Sequence, residues 1–258
     1  MLQRSRTKTG VEWLVLDRVP ARNALSLDML QALETALAEI AASDARCVLL
    51  AHEGHVFSGG HDLKEMVAHR ADPDGGRAFY AQAMTTCARV MQAVVNLPQP
   101  VIAVVEGVAT AAGCQLVASC DMAVATPTAR FCTPGVDIGL FCSTPGVAIS
   151  RAVGRRAAMD MLLTGRMVGA EEARAMGLVN RVEPEARAAA LALAEGIAAR
   201  SALTIRMGKA GFNRQYGCAL PEAYADAAAV MVENMMAEDA AEGIGAFLQK
   251  RAPQWQDR

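Results

Sequence analysis

The chain has 258 residues, a formal net charge of −2 and 53% hydrophobic residues. That length can bury one large core or two modest ones. The charge balance gives no basic field for nucleic acid, and no apolar run reaches the ~20 residues of a membrane span, so neither partner is expected. The N-terminal MLQRSRTKTG carries charge with no apolar run behind it, so no secretory signal is expected. Seven cysteines are scattered and never spaced CxxC. They argue against a disulfide scaffold or a zinc site and fit reduced thiols in a cytoplasm, the compartment expected here. The histidines (52, 55, 61 and 69) read as exposed loop residues, with no Cys or carboxylate pattern to complete a metal site.

In chain order, VEWLVLD alternates apolar and polar residues and predicts a strand. After the RVPARNAL turn, Ser26 predicts an N-cap for a helix over 27–42, with Leu30, Leu33, Leu37 and Ile40 on one face. CVLLA (47–51) predicts a buried strand, HEGHVFSGGHD a glycine-bearing loop, and 77–97 a long helix stopped by Pro98. VIAVVEG is apolar without alternation, as a strand covered on both faces should be. Another helix and the strands DMAVA and ARFCTP follow. From about Thr144 the chain reads as helical, with Ala-rich runs at 155–164, 170–176, 185–200, 221–237 and 239–250, broken only by GLVNRV. The pattern predicts an α/β fold with largely parallel pairing and a helical C-terminal extension. Such an extension serves oligomerisation or packs on its own core.

Two glycine-bearing segments each follow a buried strand: FSGGHDL after CVLLA, and ATAAGCQL after VIAVVEG. Small residues let the backbone approach a ligand, and the helix that starts in the second segment points unsatisfied N–H groups outward. Two such donors on one oxygen suit a thioester carbonyl that gains enolate character. Tight strand–helix turns explain the glycines at least as well on spacing alone.

RNAL (22–25), FSGGHDLKEM (57–66), PVIAVVEGVATAAGCQLVASCDMAVA (100–125), RAVGRRAAMDMLLTGR (151–166), AMGLVNRV (175–182) and GIGAFLQKRAPQW (243–255) together resemble the crotonase family of enoyl-CoA hydratases and isomerases. The resemblance covers nearly the whole chain in order. It implies a ββα-spiral core over 1–195, a helical trimerisation region over 196–258, and a homotrimer or a hexamer of two trimers. It also implies an acyl-CoA substrate, coenzyme A being part of that substrate and no cofactor being tightly bound. The oxyanion donors would be the N–H groups of Gly59 and Ala112, where Ala112 departs from the family's usual glycine. Arg22, Lys64 and Lys250 would meet the phosphates, and the backbone at Ala24 would lie near the adenine.

In the family's hydratases two glutamates straddle a water and move its protons. Their positions here hold Gln115, whose amide orients a water but cannot take its proton, and Gly135, which has no side chain. Asp137, two residues on, is the nearest carboxylate that could substitute. Cys142, Ser143 and Thr144 are weak nucleophiles without an evident base, and Asp62 and Glu65 suit capping or pairing. The expected activity is therefore a weak hydratase or isomerase of fatty acyl thioesters. Two alternatives are a malonyl-type decarboxylase, in which His61 would orient the substrate carboxylate and Cys142 would replace a tyrosine, and a non-catalytic acyl-CoA-binding protein. A Ser58–His61 hydrolase lacks the GxSxG elbow.

Overall fold

A computed structural model describes residues 1–258. In chain order, β1 (Leu2–Arg6) and β2 (Val11–Leu16) precede α1 (Leu27–Ala41), and β3 (Cys47–His52), β4 (Val56–Ser58), α2 (Leu63–Ala68) and α3 (Arg77–Asn96) follow. Next come β5 (Val101–Val105), β6 (Val108–Thr110), α4 (Ala112–Ser119), β7 (Met122–Ala125) and β8 (Arg130–Cys132). The rest comprises α5 (Ser143–Ala152), α6 (Arg155–Thr164), β9 (Val168–Gly169), α7 (Ala170–Met176), β10 (Arg181–Val182), α8 (Ala186–Ala198), α9 (Ala202–Gln215), α10 (Leu220–Met236) and α11 (Glu238–Leu248).

One sheet runs β1-β2-β3-β5-β7-β10 and is parallel apart from β1. A smaller sheet runs β4-β6-β8-β9 and is parallel apart from β9. The large sheet is covered on both faces, which is why β3 and β5 show no alternation. On one face Val48, Leu50 and Val101 join Leu30, Leu33, Leu37 and Ile40 of α1 and Val90 and Val94 of α3. On the other face Cys47, Leu49, Ala51, Ile102 and Val104 meet Ala186, Ala190 and Ala194 of α8, whose small side chains bring the helix close to the strands. Ser26 caps α1 as expected, its hydroxyl accepting from Met29 N–H at 3.3 Å.

Several elements escaped the sequence pattern: the short β4, which lies in the expected glycine-bearing loop, the short α2, β6 and β9, and also β1 and α9. Strand β1 is an edge strand with Gln3 to Arg6 exposed, so no buried face imprints an alternation. Helix α9 carries Gly208 and Gly211, poor helix formers. At Gly211 a Cβ would lie 3.0 Å from Val230 of α10, so the glycine serves helix contact. The division expected at residue 195 falls inside α8, and the tail returns to the core: Trp255 Nε1 donates to Ala199 O, and Asp257 pairs with Arg46. Helix α10 has no buried residue, and Leu220, Tyr224, Val232, Met235 and Met236 are exposed with Phe247 and Leu248 of α11.

Helix α9 is pinned by Lys209. Its ammonium donates to Gln99 O at 3.0 Å and pairs with Asp121 at 2.6 Å, and Asp121 also accepts from Val101 N–H at 2.7 Å. Burial pushes the Asp121 carboxyl up from its ordinary range against the pull of Lys209. Removing one partner leaves a poorly solvated charge, so Lys209→Met should lower stability by about 2–3 kcal/mol in urea unfolding. A second constraint precedes α4, where Ala111 sits at φ 50, ψ −118, a region that disfavours a Cβ. Ala111→Gly should raise stability by about 1 kcal/mol in the same measurement, because the strain relieved exceeds the entropy that glycine adds to the unfolded chain.

Candidate active site

Strands β4, β6 and β8 pair in parallel, with Ser58 beside Ala109 and Thr110 beside Cys132, so their carboxyl ends lie together. Ligands of parallel sheets bind beyond such ends. The chain leaves β6 through Ala111 and turns into α4, whose first turn presses on the loop after β4. A Cβ on Gly113 would lie 2.4 Å from Ser58 O, which no side chain tolerates. Gly60, at φ +82, would place a Cβ 3.0 Å from Ala111 Cβ and 3.3 Å from Ala112 N. Ala112 is 1% exposed, and its N–H, at the first position of the helix, has no acceptor within the chain. It is a buried, unpartnered donor at a helix N-terminus.

The other expected donor is committed elsewhere. Gly59 N–H donates to Arg22 O at 2.9 Å. That carbonyl is held by a turn in which Arg22 and Asn23 both take left-handed backbone, φ 53 and φ 50. Asn23 compensates with its buried side chain. It accepts from Arg18 N–H at 2.7 Å and donates to Glu53 O at 2.9 Å and Val56 O at 2.7 Å. This residue locks the RNAL turn to the β3–β4 loop. Its place in that motif was the only sequence signal of the role.

Gln115 lies in the first turn of α4 and is 4% exposed, and its Oε1 is buried without a donor. Gly135 is buried in the single helical turn after β8. A Cβ there would lie 2.8 Å from Cys142 Sγ and 2.9 Å from Leu140 O, so Cys142 fills the space that a side chain at 135 would enter. Burial pushes the Cys142 thiol up, which keeps it protonated near neutral pH. Asp137 is exposed, and one of its carboxylate oxygens lies 3.2 Å from where a Cβ on Gly165 would stand.

His61 follows Gly60. Its Nδ1 lies 3.3 Å from Leu25 O, and its Nε2 is buried without a partner. A carbonyl only accepts, so Nδ1 carries the hydrogen and Nε2 of the neutral ring is a bare acceptor. Burial lowers the pKa of the ring and favours that neutral form. Ser58 is fully buried, with its hydroxyl accepting from Gly60 N–H at 3.2 Å, so no Ser58–His61 dyad exists. Asp62 caps α2 and pairs with Arg18, and Glu65 accepts from Leu27 N–H.

The remaining histidines do not gather, and the expectation of exposed loop residues fails for His52 as it does for the enclosed Nε2 of His61, whereas His55 is exposed and His69 half-buried. His52 is buried at the end of β3, accepting from Glu106 N–H, and His69 stacks on Phe79 at 3.7 Å. Of the candidate coenzyme contacts, Arg22, Lys64 and Lys250 are exposed and make no ion pair, and Ala24 is buried with its carbonyl accepting from Ser26 N–H. Lys250 lies just beyond α11. A cavity of about 400 Å³ lies elsewhere, at the amino ends of β3 and β5 between Arg46, Gln99, Arg200 and Arg206.

Residues 6–258 match the family described as enoyl-CoA hydratase/isomerase. The chain is 46% identical over 254 residues to human enoyl-CoA hydratase domain-containing protein 3, mitochondrial, covering 97% of this chain and 82% of that protein. It is 34% identical to a probable enoyl-CoA hydratase of Mycobacterium bovis over 95% of this chain and 94% of that one. Among solved structures, an enoyl-CoA hydratase of Mycobacterium smegmatis superposes with a TM-score of 0.94 at 50% identity, over 98% of each chain. The human, mouse and rat relatives are all named mitochondrial, which overturns the cytoplasmic expectation drawn from the cysteines. The family match runs almost end to end on an α/β core of parallel strands with a helical C-terminal region: this chain belongs to the enoyl-CoA hydratase/isomerase family and has the crotonase fold.

Proposed function

We propose that the chain binds an acyl-CoA thioester and acts on it as a lyase of the hydratase/isomerase type, in fatty acyl metabolism. The observation that carries this reading is the buried N–H of Ala112, aimed from a helix N-terminus with no acceptor in the chain. Such a donor is worth most where negative charge develops on a thioester oxygen, because little water competes for it. Gly59, the second donor that the family resemblance implies, has its N–H occupied by Arg22 O, so it reaches a thioester oxygen only if that turn opens. Coenzyme A enters as part of the substrate, with Arg22, Lys64 and Lys250 meeting its phosphates and the Ala24 backbone near its adenine. No tightly bound cofactor is required. Hydration is slow, because Gln115 cannot take a proton and Gly135 offers no group at all. Asp137 is too exposed, and too near Gly165, to replace them. The decarboxylase reading is disfavoured by His61, whose bare Nε2 repels a carboxylate instead of orienting it.

The exposed apolar residues of α10 and α11 support a homotrimer in which this face is covered. Light scattering should give three subunits, or six, and a Val232→Asp, Met235→Asp variant should be monomeric. A monomeric wild type would overturn this assembly.

Function is tested by calorimetry with butyryl-CoA and by crotonyl-CoA hydration. Wild type should bind the first and hydrate the second slowly, and Gln115→Glu should raise kcat by about 10²-fold. Gly135→Glu is a poor companion, because its Cβ meets Cys142 and Leu140. Absence of butyryl-CoA binding would overturn the thioester reading, whereas binding without turnover in either protein would favour a non-catalytic binder.

A further inference from the structure

The cavity at the amino ends of β3 and β5 lies at the far end of these strands from the candidate active site, because their carboxyl ends lead into β4 and β6. The chain bends by 104° between α8 and α9 there, and Arg200 stands in the bend. Arg206 follows Ala202 by four residues, so both lie on one side of α9, and both line the cavity with Arg46. The volume of about 400 Å³ falls within the range of small-molecule sites, ~300–1,000 Å³.

One anion already enters this place. The Asp257 carboxylate pairs with Arg46 at 2.5 Å and accepts at 2.6 Å from the N–H of Ala202, the first residue of α9. Arg46 also donates to Arg200 O. Asp44, the other carboxylate of the lining, pairs with Arg6. Arg200 and Arg206 are exposed and are left without a counter-ion. Two free guanidiniums suit a dianion better than a single carboxylate, and their planar forks match phosphate oxygens. A phosphate monoester carries about two negative charges near neutral pH. Ile197, Ile205 and Pro98 line the same cavity and offer an apolar wall to the organic part of such an ester.

We propose that this cavity is a second ligand site, for a small phosphate monoester, which Arg200 and Arg206 hold and which competes with the Asp257 carboxylate for Arg46 and the start of α9. The site is separate from the one described above and does not rest on the thioester reading. Asp257 can yield its place without the tail coming away. Its own N–H and that of Gln256 donate to the buried Asp239 carboxylate at 3.0 Å and 2.6 Å, and Trp255 Nε1 donates to Ala199 O. The resident carboxylate is thus an internal occupant that lowers the affinity of the cavity for any other anion.

The test is titration calorimetry at low salt and near neutral pH, with phenyl phosphate as the probe and benzoate as its singly charged counterpart. Wild type should bind phenyl phosphate with a Kd below about 1 mM, and benzoate at least about tenfold more weakly. An Arg200→Met, Arg206→Met variant should lose at least about tenfold in phenyl phosphate affinity. Its urea unfolding midpoint should stay that of wild type, since both side chains are exposed. Asp257→Asn removes the competing charge and keeps an oxygen for Ala202 N–H, so it should bind the probe about threefold tighter or better. Saturating butyryl-CoA should leave that binding in place. The proposal is overturned if phenyl phosphate does not bind, if the double variant binds it within about threefold of wild type, or if Asp257→Asn binds it more weakly. Displacement by butyryl-CoA would overturn it too, and would assign the phosphate to Arg22, Lys64 and Lys250.

Discussion

The first turn of α4 lies so close to the loop after β4 that no atom fits between them. Gly113 meets the Ser58 carbonyl where a Cβ would stand at 2.4 Å, and Gly60 turns left-handed beneath Ala111 and Ala112. This contact removes water from the start of the helix, so the Ala112 N–H is buried with nothing in the chain to bond. The free donor, the orphaned amide oxygen of Gln115 and the position of His61 all follow from that approach. The strained backbone at Ala111 is its local cost, of order 1 kcal/mol.

The large sheet serves this contact at a distance. It is buried on both faces, by α1 and α3 on one side and by the alanine face of α8 on the other. Helices on both sides leave only strand ends and loops for chemistry, and the small sheet gathers three of those ends. Asn23 extends the rigidity outward. With three hydrogen bonds it holds a left-handed turn whose carbonyl occupies the Gly59 N–H.

Much of this was legible in the sequence. Helix α1 with its Ser26 cap, the unalternating β5 and the Ala-rich α8 follow from period and burial, since each packs against a neighbour that imposes its spacing. Strand β1 and helix α9 left weaker marks, one lying at an open edge and the other carrying two glycines. Gln115 was visible as a lone amide on an apolar helix. The bond between Gly59 and Arg22, the tautomer of His61 and the filled space at Gly135 were not, because each depends on residues far apart in the chain. Histidine was read as surface because type and loop context carry no burial information, yet His52 and the Nε2 of His61 are enclosed.

The sulfur of Cys142 gives the site a direction in sequence space. With that atom and the Leu140 carbonyl where a side chain at 135 would begin, a glutamate does not fit there by a single substitution. The loop from Gly139 to Cys142 must open first, and only then does a carboxylate at 135 have room. A side chain at 135 and the present course of the 139–142 loop therefore exclude each other, so two substitutions in this pocket that are each tolerated in one order are harmful in the other.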